Sequence, residues 1–188
     1  MREMTGTGAA EEQERQALAQ ALAAELLRRA AEDNSATAEA QRLPATHLRR
    51  ALARCRAENA EALRSVVTAH GWPTAALVGA DASTAALMIL LHSDDLAFQL
   101  TCRDLIAEAV EAGLCSPIHG AYAADHCAVA LGRPQSYGTR YTPLGRPYPL
   151  LDPEGVDDRR LAVGLRTMAA EQRALTEIRL RQSNRASA

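Results

Sequence analysis

Apolar residues recur at helical spacing through most of the chain. Leu18, Leu22, Leu26 and Leu27 predict an amphipathic helix over residues 9–32, after a disordered tail over 1–8; Asp33-Asn34-Ser35 reads as its end and Pro44 as a boundary. A second helix is predicted over 46–69 from the stripe Leu52, Cys55, Asn59, Leu63 and Val66. It stops at His70-Gly71-Trp72-Pro73, since glycine suits the left-handed position after a helix and proline cannot continue one. Ser83 reads as the N-cap of a third helix over 84–92, with Ala85, Ile89 and His92 on one face. Phe98, Cys102, Leu105 and Ala109 mark a fourth over 95–112, with Gly113 beyond its end, and Ile118, Tyr122, Asp125 and Val129 mark a fifth over 118–131, ended by Gly132. Prolines and glycines then crowd Arg133–Pro153, where Gln135–Tyr141 and Arg146–Leu150 around Pro143-Leu144-Gly145 predict a short β-hairpin. Residues 155–182 return to helix with a break near Gly164-Leu165, and the tail over 183–188 reads as frayed. The pattern predicts a mainly α protein: one helical-bundle domain over 9–182, with one short β-hairpin after the fifth helix and no internal repeat.

Composition narrows this further. At 188 residues and 47% hydrophobic, the chain is long enough for one domain with a full core, since a chain of this size buries roughly 70% of its unfolded surface. With 21 basic against 23 acidic residues it has no excess of positive charge to neutralise a nucleic-acid backbone, so no nucleic-acid partner is expected. No stretch approaches the ~20 apolar residues of a membrane span, so no membrane partner is expected either. Met1-Arg2-Glu3-Met4 followed by Glu11, Glu12 and Glu14 lacks the apolar segment of a signal peptide, which points to the cytoplasm. Every basic residue is arginine and about a fifth of the chain is alanine, a pattern of codon drift in a GC-rich genome before it is one of function. Cys55, Cys102, Cys115 and Cys127 are far apart with no Cys-x-x-Cys pair and read as buried free thiols.

Polar side chains on apolar helix faces cost about 1–3 kcal/mol each when buried without partners. Asn59, His92 and Asp125 are such residues, and they predict either a shared site or a network that fixes helix register. In His92-Ser93-Asp94 the imidazole and carboxylate are close enough in sequence to share a cleft for proton transfer; Asp94 or Asp95 is equally suited to cap the following helix. His119 and His126 stand seven apart and, with His92, offer ligands for a catalytic metal, although no recognised ligand pattern such as His-Glu-x-x-His is present. Gln135, Tyr137, Thr139, Arg140 and Tyr141 concentrate hydrogen-bonding groups in the loop after the fifth helix. Asp157-Asp158-Arg159-Arg160 reads as a helix start with surface ion pairs, and the alternative is an inward arginine that holds a substrate carboxylate.

The chain resembles, over about residues 55–165, a bacterial family of unknown function common in actinobacteria and in Bacteroidetes. The resemblance rests on Asn59 with Leu63, Gly71-Trp72-Pro73, Val78-Gly79, His92 with Asp94 and the later Phe98-Gln99, and His119-x-Ala121-Tyr122-x-x-Asp125. Gly132-x-x-Gln135-x-Tyr137-Gly138-Thr139, Val156-Asp157-x-Arg159-Arg160 and Gly164-Leu165 complete the series. Two positions depart: the family usually has arginine at His126 and glutamine at Arg140. The resemblance implies a mostly helical fold and a shared polar site, without an established activity.

The leading expectation is a small enzyme of specialised metabolism in an actinobacterium, acting on a polar small molecule or peptide by cyclisation, elimination, isomerisation or hydrolysis. His92 is the acid/base group oriented by Asp94, and Tyr122 with Asp125 completes a second pair. Asn59, Gln99, His119, His126, Gln135, Tyr137, Thr139 and Arg140 hold the substrate. No nucleotide or phosphate loop is present, so no cofactor is expected. The alternatives are a non-catalytic binding protein whose apolar N-terminal helix docks a partner or forms a homodimer, and a metal-dependent hydrolase.

Overall fold

The computed structural model of the chain describes residues 5–43 and 45–186. It divides into two compact units, Met1–His119 and Gly120–Ala188. Among the described residues the architecture is mainly helical, with eight helices and no strand, and no helix is long and apolar enough to cross a membrane.

The first unit is built around α1 (Thr5–Arg42), α2 (Thr46–His70), a short α3 (Ala75–Val78), α4 (Ala80–Leu91) and α5 (Leu96–Glu111). α1 packs against α2, α3 and α4, while α4 also meets α2, α3 and α5. That central place explains why α4 carries so little polar surface: Ala82, Ala85, Ala86, Leu87, Ile89 and Leu90 are all buried on it.

α1 runs straight through Asp33-Asn34-Ser35, where the sequence predicts an end, and residues 5–8 of the expected tail belong to it; residues 1–4 lie outside the described ones. Local propensity favours a stop there, but Ser35 Oγ donates to the Ala31 carbonyl within the helix and Asp33 is buried by partners from other helices. α2 follows its prediction and ends at Gly71, whose φ of 74° an L-residue rarely adopts. Ser83 is not an N-cap. It is buried inside α4, and Gly79 caps that helix instead. Asp95 caps α5, its side chain accepting from Phe98 N at 2.9 Å.

The unit boundary falls within α6 (Pro117–Ala130), and the second unit continues through α7 (Val156–Ala162) and α8 (Met168–Ala186). α8 includes residues 183–186 of the tail predicted to fray, while 187–188 lie outside the described residues. The predicted hairpin does not form as paired strands. Its two arms meet only in isolated bridges, Gln135 with Leu150 and Tyr141 with Pro147. The cause is donor supply: Pro147 and Pro149 have no N–H, which leaves Tyr148 N, bonded to the Arg140 carbonyl at 3.1 Å, as the donor between them.

Candidate functional site

On α1, Leu22, Leu26, Arg29, Asp33 and Thr37 follow one another at steps of four, three, four and four, so they share a face. Leu26 is buried on that face and so is Asp33, an acid on an apolar line. One Asp33 oxygen, Oδ2, lies 2.5 Å from Nδ1 of His92, the residue that ends α4. The other, Oδ1, accepts from Arg56 Nε of α2 and from Thr37 Oγ1, each at 3.2 Å. Arg56 Nη2 donates in turn to Thr37 Oγ1 at 3.2 Å.

The Asp33 side chain is 3% exposed, against 28% for Arg56 and 27% for His92. Burial pushes the Asp33 carboxyl up, but the hydrogen bond and charge of His92, joined by those of Arg56, outweigh it and hold the group below the ordinary carboxylate range. Whenever the ring is neutral, an ionised carboxylate at Nδ1 favours the tautomer with its proton on Nδ1 and its lone pair on Nε2. The partner expected for His92 was Asp94. Asp94 is instead exposed, beyond the end of α4, and the orienting acid comes from α1.

Asp94 lines a cleft of about 290 Å³ together with Arg56, Glu61, Arg64, Ser93 and Asp95. Arg56 therefore links the cleft to the His92–Asp33 pair. Arg64 is fixed by Asp95 at 2.7 Å and stacks 4.2 Å above the centre of the Phe98 ring. Gln99 is buried beneath this turn, its Nε2 donating to the carbonyls of Leu90 at 3.2 Å and Ser93 at 2.6 Å. Asn59 is occupied by α1: its Oδ1 accepts from Arg29 Nη1 at 3.1 Å and its Nδ2 donates to the Arg29 carbonyl at 3.3 Å. Gln99 and Asn59 thus brace the scaffold. Burial, with the charges of Asp33 and Glu32, pushes the nearby Cys55 thiol up, so it stays protonated.

His119 takes part in a chain of neutral groups. Cys115 Sγ lies 3.5 Å from its Nδ1, and Thr84 Oγ1 lies 3.3 Å from its Nε2 and donates to the Ala80 carbonyl at 3.0 Å. Burial lowers the His119 pKa and raises that of Cys115, which keeps both uncharged and argues against a thiolate nucleophile.

The second unit is organised by Asp125, fully buried on α6. Its Oδ1 accepts from Ser136 N at 2.7 Å and Tyr137 N at 3.0 Å, and its Oδ2 from Thr139 N at 2.9 Å and Thr139 Oγ1 at 3.0 Å. Gln135 closes the same loop: Nε2 donates to the carbonyls of Arg140 and Tyr148, each at 3.0 Å, and Oε1 accepts from Arg140 N at 2.8 Å. With both oxygens occupied by donors, Asp125 acts here as the anchor of the 135–140 loop, and Tyr122 is not among its partners. His126, next on α6, is half-buried. Gly138 adopts φ 67° against α8, where a Cβ would meet Met168 Sδ at 2.5 Å.

Two buried charged groups stand where the sequence reading favoured another role. Asp33 was taken for a helix terminus, although its place on the Leu22–Leu26 line carries the same polar-on-apolar signal that singled out Asn59. Arg160, for which surface ion pairs were favoured over an inward arginine, is among the most buried side chains of the chain. Among the described residues, no three His, Cys, Asp or Glu side chains gather to hold a metal ion.

The model of a family of unknown function, DUF6624, matches residues 12–180, and the chain belongs to that family. No curated protein and no solved structure matches it.

Proposed function

We propose that this member of the family is a small acid/base enzyme acting on a polar small molecule or peptide, with His92 as the proton-transfer group and Asp33 as its positioning residue. The observation that carries the proposal is the buried Asp33 carboxylate at 2.5 Å from His92 Nδ1, beside an imidazole that remains partly exposed. In this arrangement Nε2 accepts a proton from a substrate C–H, N–H or O–H, or from a water molecule. Asp33 stabilises the imidazolium so formed, and Nε2 returns the proton to the leaving group or to the rearranged substrate. That cycle serves elimination, isomerisation, cyclisation or hydrolysis, depending on the bond the substrate presents. Arg56 joins His92 in holding Asp33 ionised and lines the neighbouring cleft, where Asp94 and Arg64 offer opposite charges to a polar substrate.

The test is turnover over a panel of small polar esters, lactones, amides and peptides, comparing the natural chain with His92→Ala. Activity lost in a variant with an unchanged circular-dichroism spectrum supports the proposal, and activity retained overturns it.

A second reading, a binding protein with a structural polar network, is favoured by the full occupation of Asn59, Asp125 and Gln135 and by Leu18 and Leu27, each 44% exposed on α1. A protein that turns over nothing in the panel and dimerises through α1, with dimerisation lost in Leu18→Glu or in Leu27→Glu, which stand on opposite sides of the helix, would fit it.

A further inference from the structure

The second unit buries a positive charge that, among the described residues, is bonded to no carboxylate. Arg160 is 1% exposed on α7, and its hydrogen bonds go to backbone carbonyls: Nε to Arg166 at 2.5 Å, and Nη1 to Tyr137 at 2.6 Å and Gly138 at 3.4 Å. Among the described residues none of its bonds goes to a carboxylate. The acid of this neighbourhood, Glu171, is paired with Arg166 at 3.7 Å. A buried ion without a counter-charge carries a desolvation penalty of several kcal/mol, and carbonyl dipoles offset only part of it.

A second deficit lies beside the first. The Tyr141 hydroxyl is buried with no hydrogen-bond partner, and Arg140 Nε, one residue earlier, is in the same condition. Tyr141 is within electrostatic reach of Arg160, Glu171 and Tyr122, and Tyr122 within reach of Glu171, Arg160 and Arg166, so the two tyrosines and the guanidinium form one neighbourhood. Burial is the main influence on both hydroxyls and pushes their pKa values up, so each remains a neutral donor at physiological pH. An unmet donor and an uncompensated cation are answered by one kind of group, an anionic hydrogen-bond acceptor.

We infer that the second unit is a binding site for a carboxylate group, held by the Arg160 guanidinium and by the hydroxyls of Tyr122 and Tyr141. A single guanidinium matches a single negative charge, and Glu171 in the same neighbourhood opposes a second, which favours a carboxylate over a phosphate dianion. The site rests on residues of the second unit alone, so its failure leaves the His92 proposal standing and the reverse also holds.

Melting temperatures of the natural chain and of Tyr141→Phe, measured in sodium acetate, sodium phosphate and sodium chloride at matched ionic strength, test it. Tyr141→Phe removes only an oxygen that has no partner, so without acetate it should melt at or above the natural chain. Acetate should raise the melting temperature of the natural chain above its value in chloride, and that rise should vanish in Tyr141→Phe. Four results overturn the inference: no acetate-specific rise, a rise in phosphate alone, a rise that survives in Tyr141→Phe, or a variant that melts lower than the natural chain before any carboxylate is added.

Discussion

Replacing Asp33 with alanine should destabilise the first unit by about 3 kcal/mol. The substitution removes the acceptor for three groups at once: His92 Nδ1 at 2.5 Å, and Arg56 Nε and Thr37 Oγ1 at 3.2 Å. Breaking a buried pair from one side costs roughly 3–5 kcal/mol when the orphaned charge stays dry. Here the orphans are not dry: Arg56 is 28% exposed, His92 27%, and Arg56 keeps its bond to Thr37. Water therefore recovers part of the loss and places the cost at the low end of that range. A loss of about 3 kcal/mol lowers the folding equilibrium constant by about two orders of magnitude. Guanidinium unfolding at neutral pH, followed by circular dichroism, should show a lower midpoint with an unchanged slope. Asp33→Asn, which keeps an acceptor for Arg56 and Thr37, should lose about half as much. A loss below about 1 kcal/mol for the alanine variant would refute the reasoning, because ordinary surface substitutions cost no more than that.

Other outcomes follow from the same geometry. Asp125→Ala leaves the amides of Ser136, Tyr137 and Thr139 without their acceptor; at about 1–3 kcal/mol for each unsatisfied donor it should be the more damaging change, read by loss of amide-exchange protection across residues 135–140. Gly138→Ala should cost at least about 1 kcal/mol for its φ of 67°, by thermal unfolding, and Met168→Ala should relieve only the steric part. Because the folded Asp33 pKa is depressed, its stabilisation is present above the ordinary carboxylate value near ~4 and is lost as pH falls through the folded value. The stability gap between the natural chain and Asp33→Asn should accordingly close in acid unfolding experiments. Spectrophotometric titration should show phenolate from Tyr122 and Tyr141 only above the ordinary range near ~10.

How much of the fold was legible depended on whether local and tertiary preferences agreed. Over α2, α5 and α6 the apolar stripe, the glycine stops and the Asp95 cap all favour the same bounds, and the helices appear there. At Asp33-Asn34-Ser35 they disagree. The triplet favours a turn, while the Asp33 carboxylate is claimed by Arg56 and His92, which are 23 and 59 residues away, and the helix continues. Ser83 fails as a cap for a similar reason: the face it occupies is buried in the centre of the unit. The hairpin fails because alternating apolar positions say nothing about donors, and the prolines at 147 and 149 remove them.

The candidate site divides in the same way. His92, Asn59 and Asp125 could be singled out because each interrupts an apolar stripe, a property of one helix. Their partners could not be, since Arg29 for Asn59, Asp33 for His92 and the loop amides for Asp125 are set by how elements pack. Arg160 is the extreme case. In sequence it continues a run of charges at a helix start, which allows surface ion pairs or an inward arginine, and the fold of the 137–138 segment over it decides for the inward one.

The central claim is that Asp33 holds His92 with its proton on Nδ1 and its lone pair on Nε2. Long-range nitrogen–proton correlation NMR of the neutral imidazole reads the tautomer directly. The account predicts the Nδ1–H form in the natural chain, and conversion to Nε2–H in Asp33→Asn, whose amide donates to Nδ1 instead of accepting from it. A natural chain in the Nε2–H form, or a tautomer unchanged by Asp33→Asn, would contradict it.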